Sequence, residues 1–544
     1  MKSKHRNIWG LMVVGTLLSP LSVLTSCSDW SDHYENASGG SNANSLFEEI
    51  ASRADVSDFT EVLMNTRVFR QHKVTATNYA EVLSGGQSLT VMAPLNGTFN
   101  KDSLLAELQT AQGDSAVENF FVKNHLVRSP HSAVDSRLKM LNGKYIDFSS
   151  TSIGGVPLSE SNIETRNGTL HILQGPVIYN KTLYETLVMD KDFTDIGGII
   201  ASYNEDYFDE NASVSSGMID GVPIYVDSVI FERNKMMEAI GLLNAEDSVY
   251  YMSVPTNAGW KSAWTKAVKY FNYADNVEKR DSLQKYWTTR ALLDDAIFSR
   301  TIQSSEKDSV ISYWYTKITP EYHVFYKPYE PTGLFGKAKG KRMCSNGILY
   351  YYDEWPFDPQ QTYFKKIEQE GESTWNITAW TSDKCNTNPK TTNDKRVHKG
   401  GYVQIIPAST NGTYDVTYKL TNVLSGKYNV HLVTIPKTIY SEAAKNLPVK
   451  YKIKLTYYGQ DGKEIVKDCG AFDSTKPEGE TGPVISPDDV SNVIVAANME
   501  FPVSLYNQSN YVTITITGNA NKKKASTETS EMYLDYIYLE PVNE

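Results

Sequence analysis

Leu89-Thr90-Val91-Met92-Ala93-Pro94-Leu95-Asn96-Gly97-Thr98-Phe99 and Val249-Tyr250-Tyr251-Met252-Ser253-Val254-Pro255-Thr256-Asn257-Ala258-Gly259-Trp260 are the two stretches on which the fold turns. Each is a short apolar run closed by proline, then an asparagine turn that opens a helix with an aromatic anchor, Phe99 or Trp260. A second matched pair follows downstream, Arg166-Asn167-Gly168-Thr169-Leu170-His171-Ile172-Leu173 and Cys344-Ser345-Asn346-Gly347-Ile348-Leu349-Tyr350-Tyr351-Tyr352. Asn-Gly ahead of alternating apolar residues predicts a type I′ hairpin turn with both residues at positive φ. Upstream, apolar residues recur at three- and four-residue spacing in 46–51 and 58–63, and again in 183–188 and 193–200, which predicts helices. The order of helices, strand, helix and strands thus occurs twice, over residues 45–181 and 182–369. The second copy carries an insertion at about 204–246.

From residue 370 to 544 the pattern changes. Tyr414–Leu420, Lys427–Val433, Val449–Tyr457 and Tyr511–Thr517 alternate apolar with polar residues and are joined by turns such as Ser425-Gly426 and Asp461-Gly462. Period two over several short runs predicts an antiparallel β-sandwich with one wet face per sheet. The fold class expected is therefore α+β followed by all-β. The closing Met532-Tyr533-Leu534-Asp535-Tyr536-Ile537-Tyr538-Leu539 is similar to the last strand of jelly-roll carbohydrate-binding modules.

The two repeats resemble the fasciclin family. Thr90 through Asn96 matches its first motif and Asn167 through Gly175 its second, while Phe120-Phe121-Val122-Lys123-Asn124-His125-Leu126 matches the central Tyr-His segment with Asn124 in the tyrosine's place. In the second repeat Leu292 through Phe298 occupies that segment and the histidine is missing. The resemblance implies adhesion or binding rather than catalysis.

At the other end of the chain, Lys2, Lys4 and Arg6 precede an apolar run and then Leu24-Thr25-Ser26-Cys27. This is a secretory signal over residues 1–26, and it resembles a bacterial lipoprotein signal with Cys27 as the acylated first mature residue. Residues 27–44 read as a flexible tether rich in Ser, Gly and Asn. The acidic residues behind Cys27 resemble the export signals of Bacteroidetes lipoproteins, which implies the extracellular face of the outer membrane. With a net charge of −11, a polyanion such as nucleic acid is not an expected partner. The triple lysine 522–524 reads as a solvated loop.

No HExxH, GxSxG, GxxxxGK[ST] or strand-borne GxGxxG is present, so neither metal, cofactor nor catalytic residue is assigned. His125 and His171 lie on apolar segments and read as packed, hydrogen-bonded structural residues. Asp294-Asp295 and Asp353-Glu354 read as solvated surface, and a carboxylate pair for glycoside hydrolysis cannot be located by spacing. Cys344, Cys385 and Cys469 form no framework, though a Cys385–Cys469 bridge is compatible with one sandwich domain. Tyrosine is the compositional excess, at 35 residues against 18 Phe. Exposed flat rings stack on the C–H faces of sugars, and Trp375, Trp380, Tyr440 and Tyr506 are the candidate ligand-binding residues. Three classes of function follow. The first is a surface-anchored, non-enzymatic protein that captures a polysaccharide beside a SusC/SusD-type transporter complex. The second is an adhesin with a protein partner, and the third a hydrolase with an unmarked carboxylate pair.

Overall fold

In the computed structural model, the described residues are 43–542 apart from 71–72, 220–221, 300–307, 313–322, 382, 410–411, 477–483 and 519–525. Cys27, the tether as far as residue 42 and the triple lysine lie outside them. The chain divides into two compact units, residues 1–179 with 206–231 and residues 180–205 with 232–544.

In the first unit a seven-stranded sheet runs in the order Leu126–Arg128, Leu89–Pro94, Gly168–Leu173, Val156–Thr165, Ser152–Ile153, Tyr145–Phe148 and Ser136–Lys139. Leu89–Pro94 and Gly168–Leu173 pair in parallel and are buried at every position, as expected of strands covered on both faces. Short helices Leu46–Ala51 and Ser57–Asn65 pack Leu46, Ile50, Phe59, Val62 and Leu63 against this sheet. Ser45 starts the first helix with a capping box closed by Glu48.

The second unit begins on the same plan. Thr182 caps Leu183–Met189 with Glu185, Thr194–Ala201 follows, and a four-stranded sheet runs Ile297–Ser299, Tyr250–Pro255, Gly347–Tyr352, Gly340–Cys344. Tyr250–Pro255 and Gly347–Tyr352 are again the parallel pair. The insertion forms a hairpin of Asn204–Ile219 and Val222–Asn234, whose residues 206–231 belong to the first unit.

The Asn-Gly turns do not work as expected. Neither Asn167 nor Asn346 has a positive φ. Instead, the Asn167 side chain accepts from Leu46 N at 2.8 Å and donates to Leu83 O and Gly85 O. Asn346 does the same with Leu183 N, Leu243 O and Ala245 O. The glycine is required by close approach: a Cβ on Gly168 would stand 1.9 Å from Leu89 O, and one on Gly347 2.0 Å from Tyr250 O.

The β-sandwich closes the second unit. One sheet runs Cys385–Thr391, Gly401–Pro407, Met532–Pro541, Gly426–Thr434, Ser491–Phe501, with Ile367–Glu370 also on the closing strand; the other runs Ile377–Trp380, Tyr414–Leu420, Val512–Gly518, Lys450–Tyr458, Glu464–Asp473. Alternate residues Tyr414, Val416, Tyr418, Leu420 and Val512, Ile514, Ile516 face the core. The boundary is not a break at 369/370, because Ile367 already belongs to a sandwich strand and Phe271, Tyr273 and Ala291 of the second repeat share the sandwich core.

Two further expectations are corrected. The outer face of the six-stranded sheet is wet only in part: Ile494 and Glu368 are exposed on it, but His431 stacks on Tyr538 (4.2 Å between ring centroids), Tyr538 on Tyr536 and Tyr536 on His398, with Lys366 Nζ 4.0 Å above Tyr538. A cation over a ring and parallel rings attract enough to let a long side chain cover the face. The disulfide is absent: Cys385 and Cys469 sit on edge strands of different sheets, and Cys344, Cys385 and Cys469 are free.

Candidate ligand-binding cleft in the sandwich

Strand polarity sorts the four aromatic candidates. Trp380 ends the Ile377–Trp380 strand and pairs with Val416 near the start of Tyr414–Leu420, so it lies at the end of the sandwich where Gly426–Thr434 also stops and Tyr440 follows. Trp375 precedes that edge strand and lies toward the opposite end; it is the most exposed of the four at 76%. Tyr506 is no surface platform. It is half-buried against Trp287 and Phe271, at 4.9 and 6.0 Å between ring centroids. The core demanded this ring, and its spacing in sequence carried no sign of that.

At the Trp380–Tyr440 end the strand termini enclose a cleft of about 80 Å³. Thr434 and Ser491 are paired end residues of neighbouring strands, Val449 and Thr529 form a short parallel bridge, and Glu531 and Tyr533 enter on the closing strand. Ile435, Pro436, Leu447 and Pro487 supply apolar wall. A single water needs about 10–15 Å³ of such space, so the cleft has room for several waters or part of a sugar ring, and the rest of a ligand must lie over the rim. Tyr440 is at that rim, half-exposed, 6.1 Å from Tyr533 and with Lys390 Nζ 5.6 Å from its ring.

The polar lining is braced. Lys437 Nζ donates to Glu531 Oε2 at 2.6 Å, and the Tyr533 hydroxyl donates to Glu531 Oε1 at 2.5 Å while accepting from Gln404 Nε2 at 3.0 Å. Burial alone would raise the Glu531 carboxyl; the bonds from Lys437 and Tyr533 outweigh it and hold the group below the usual range. Ser491 Oγ is the exception. Its residue is 2% exposed, lines the cleft, and the hydroxyl has no partner among the described residues. A buried hydroxyl without a partner costs about 1–3 kcal/mol, which a ligand hydroxyl would recover.

Two clusters were not legible from spacing. Glu368, Glu370 and His398 present donor atoms within 4.8 Å of one another, a set that could hold a cation although no metal ligand was assigned. Lys399 Nζ lies 2.7 Å from both carboxylates and Lys366 Nζ 3.0 Å from Glu368, so two cations face the two acids. Glutamates two apart on a strand share a face, which was the available signal. Beside them burial pushes the Asp535 carboxyl up to about 7, although it accepts from the His398 backbone N–H.

The second cluster overturns the reading of Asp294-Asp295 as solvated surface. Asp295 is 5% exposed and pairs with His323 at 2.6 Å; Asp294 takes Arg290 Nε at 2.5 Å. Both line a cavity of about 80 Å³ with Trp287, Tyr363, Lys365 and Tyr506. Burial pushes Asp294 up to about 7 against the pull of Arg290. Asp353, the other acid considered, is exposed and bound to Lys339 at 2.6 Å.

His125 and His171 are packed as expected. His125 is fully buried, bonded to Phe121 O at 2.8 Å and accepting from Val177 N at 2.9 Å, and burial lowers it to about 4. Among the described residues no helix is long and apolar enough to cross a membrane.

Comparison with known proteins bears on the first unit most directly. Among solved structures the chain is similar to the FAS1 domain pair of the insect cell adhesion molecule Fasciclin I, at 11% identity over 58% of this chain and 97% of that one, with a TM-score of 0.18. It is also similar to TmCBM61 in complex with β-1,4-galactotriose, at 12% identity over 31% and 94% of the two chains, TM-score 0.18. A third is the exo-β-1,3-galactanase from Phanerochaete chrysosporium, at 12% identity over 42% and 40%, TM-score 0.17. No curated protein matches the sequence. The family model described as Fasciclin domain matches residues 68–178, and this part of the chain is a fasciclin domain.

Proposed function

We propose that this protein is a non-enzymatic surface protein that captures an extracellular polysaccharide through the cleft at the Tyr440 end of its sandwich. A fasciclin domain suggests an adhesion or binding role. The observation that carries the glycan reading is the partnerless, buried Ser491 hydroxyl in a cleft whose lining residue Tyr533 lies 6.1 Å from the half-exposed Tyr440 ring. A hydroxyl-bearing ring with apolar C–H faces satisfies both at once. The braced Glu531 supports binding over hydrolysis: an acid held below its usual range is ionised at neutral pH and has no proton to give a leaving group. Acylation of Cys27 would tether the chain to the outer membrane, facing outward, where a SusC/SusD-type transporter is the natural recipient of captured glycan.

Affinity electrophoresis of the full chain against a panel of polysaccharides tests this. The expected result is retardation by at least one polymer, weakened roughly tenfold in Tyr440→Ala and unchanged in Trp375→Ala. Retardation by no polymer sinks the reading. An adhesin reading has one observation in its favour, the exposed Tyr326 and Met343 of the second repeat (75% and 68%). Binding to a protein partner that is lost on Tyr326→Ser would favour it.

A further inference from the structure

The charges around the cleft are not balanced residue by residue. Glu531 is saturated by Lys437, Tyr533 and Gln404. Asp489, the other acid in the lining, faces Arg396, whose guanidinium is held mainly by Asp394 at 2.8 Å. On the same loop Asp488 accepts from Asn446 and Ser486. Two ammonium groups are left over. Lys445 lines the cleft and is exposed, Lys390 stands over the rim tyrosine, and neither pairs with an acid among the described residues.

In a chain of net charge −11 these are two cations without a carboxylate partner of their own, beside an orphaned buried hydroxyl and a half-exposed ring. A neutral sugar would use the ring and the hydroxyl and offer both ammonium groups only uncharged hydroxyl acceptors. A sugar bearing a carboxylate uses all four, since ammonium–carboxylate hydrogen bonds are the strong, charge-assisted kind.

We infer that the cleft recognises an acidic sugar, a hexuronate within a polymer, with the ring on Tyr440, a hydroxyl on Ser491 Oγ and carboxylates on Lys445 and Lys390. This rests on the proposed glycan capture and names its substrate class. A uronate polymer repeats its carboxylate from ring to ring, so the wall lysine and the rim lysine can each take one. Because overall repulsion opposes an anionic polymer, the attraction is local, and added salt weakens it.

The test uses the full chain with polygalacturonate and alginate, each beside the same polymer after its carboxylates have been reduced to alcohols. Binding to at least one uronate polymer, roughly tenfold weaker after reduction and with that gap closed in Lys445→Gln, supports the inference. Reduced polymers bound as tightly as their parents overturn it while leaving glycan capture in place. Binding by neutral polysaccharides alone has the same effect. If no polymer of any kind binds, or if Tyr440→Ala and Ser491→Val leave every binding event unchanged, both the inference and the cleft as a glycan site fall together.

Discussion

The two repeats share a frame and differ at one segment. In each, an asparagine ties a helix start to the loop ahead of the first strand, and a glycine lets the parallel strand approach. A second asparagine repeats as well: Asn96 bonds Ala54 O, Ser57 Oγ and Asp58 N, and Asn257 bonds Lys191 O, Thr194 Oγ1 and Asp195 N. Strand register then aligns Leu126 with Ile297, since they pair with Val91 and Met252, and so sets His125 opposite Ala296 and Asn124 opposite Asp295. Where the first repeat buries a neutral imidazole, the second buries one carboxyl bonded to Arg290 and another beside His323. The frame depends on side chains that satisfy buried backbone, whereas the segment before the third strand need only fill its space and balance its charges.

The largest expected effect tests the shared frame. Gly168→Val and Gly347→Val each push a Cβ into a neighbouring carbonyl and are expected to cost about 3 kcal/mol or more, in the first and second unit respectively. Urea unfolding followed by limited proteolysis reports which unit is lost, and tolerance of either substitution would break the equivalence.

The second prediction sharpens the difference. His125 is lowered to about 4 in the folded state, so the unfolded chain binds its proton first. Its contribution is present above the ordinary histidine value and is lost as pH falls from about 6.5 to about 4. Asp294 has the opposite sign. Its carboxyl is raised to about 7, the folded state holds the proton longer, and its contribution is lost as pH rises from about 4 to about 7. Relative to the parent, His125→Asn should therefore flatten the acid loss of the first unit, on the order of 2–3 kcal/mol across that window. Asp294→Asn should flatten the loss of the second unit as pH rises through that window. Hydrogen exchange resolved by unit measures both, and parallel slopes would contradict the assignment.

The smallest effect returns to the common frame. Ser45→Ala and Thr182→Ala remove equivalent capping boxes and should cost about 1 kcal/mol each, read as equal shifts in the midpoints of the two units.

Much of the frame was legible because it is written in local rules: proline closing a buried strand, apolar residues at three- and four-residue spacing in the helices, period-two alternation in the sandwich. The role of Asn167 was visible as a motif but assigned to the wrong cause, since a turn preference and a three-partner side-chain anchor leave the same two letters in the chain. Tyr440 was named and does sit beside the cleft; Tyr506 was named and is packed inside. Single rings carry no sign of which way they face when strands end and loops cross. Asp294 and Asp295 looked like surface because adjacent acids usually are, and only Arg290 and His323, brought in by folding, make their burial tolerable.

By itself the chain determined the doubled helix–strand plan, the switch to an antiparallel sandwich and the prolines that close the central strands, because those depend on backbone geometry within a few positions. Only the tertiary structure decided where the cleft lies, which hydroxyl is left unbonded and which lysines are left unpaired. Thr434, Ser491 and Glu531 meet because three distant strands end together, and hydrogen bonding and charge balance are settled by such neighbours in space.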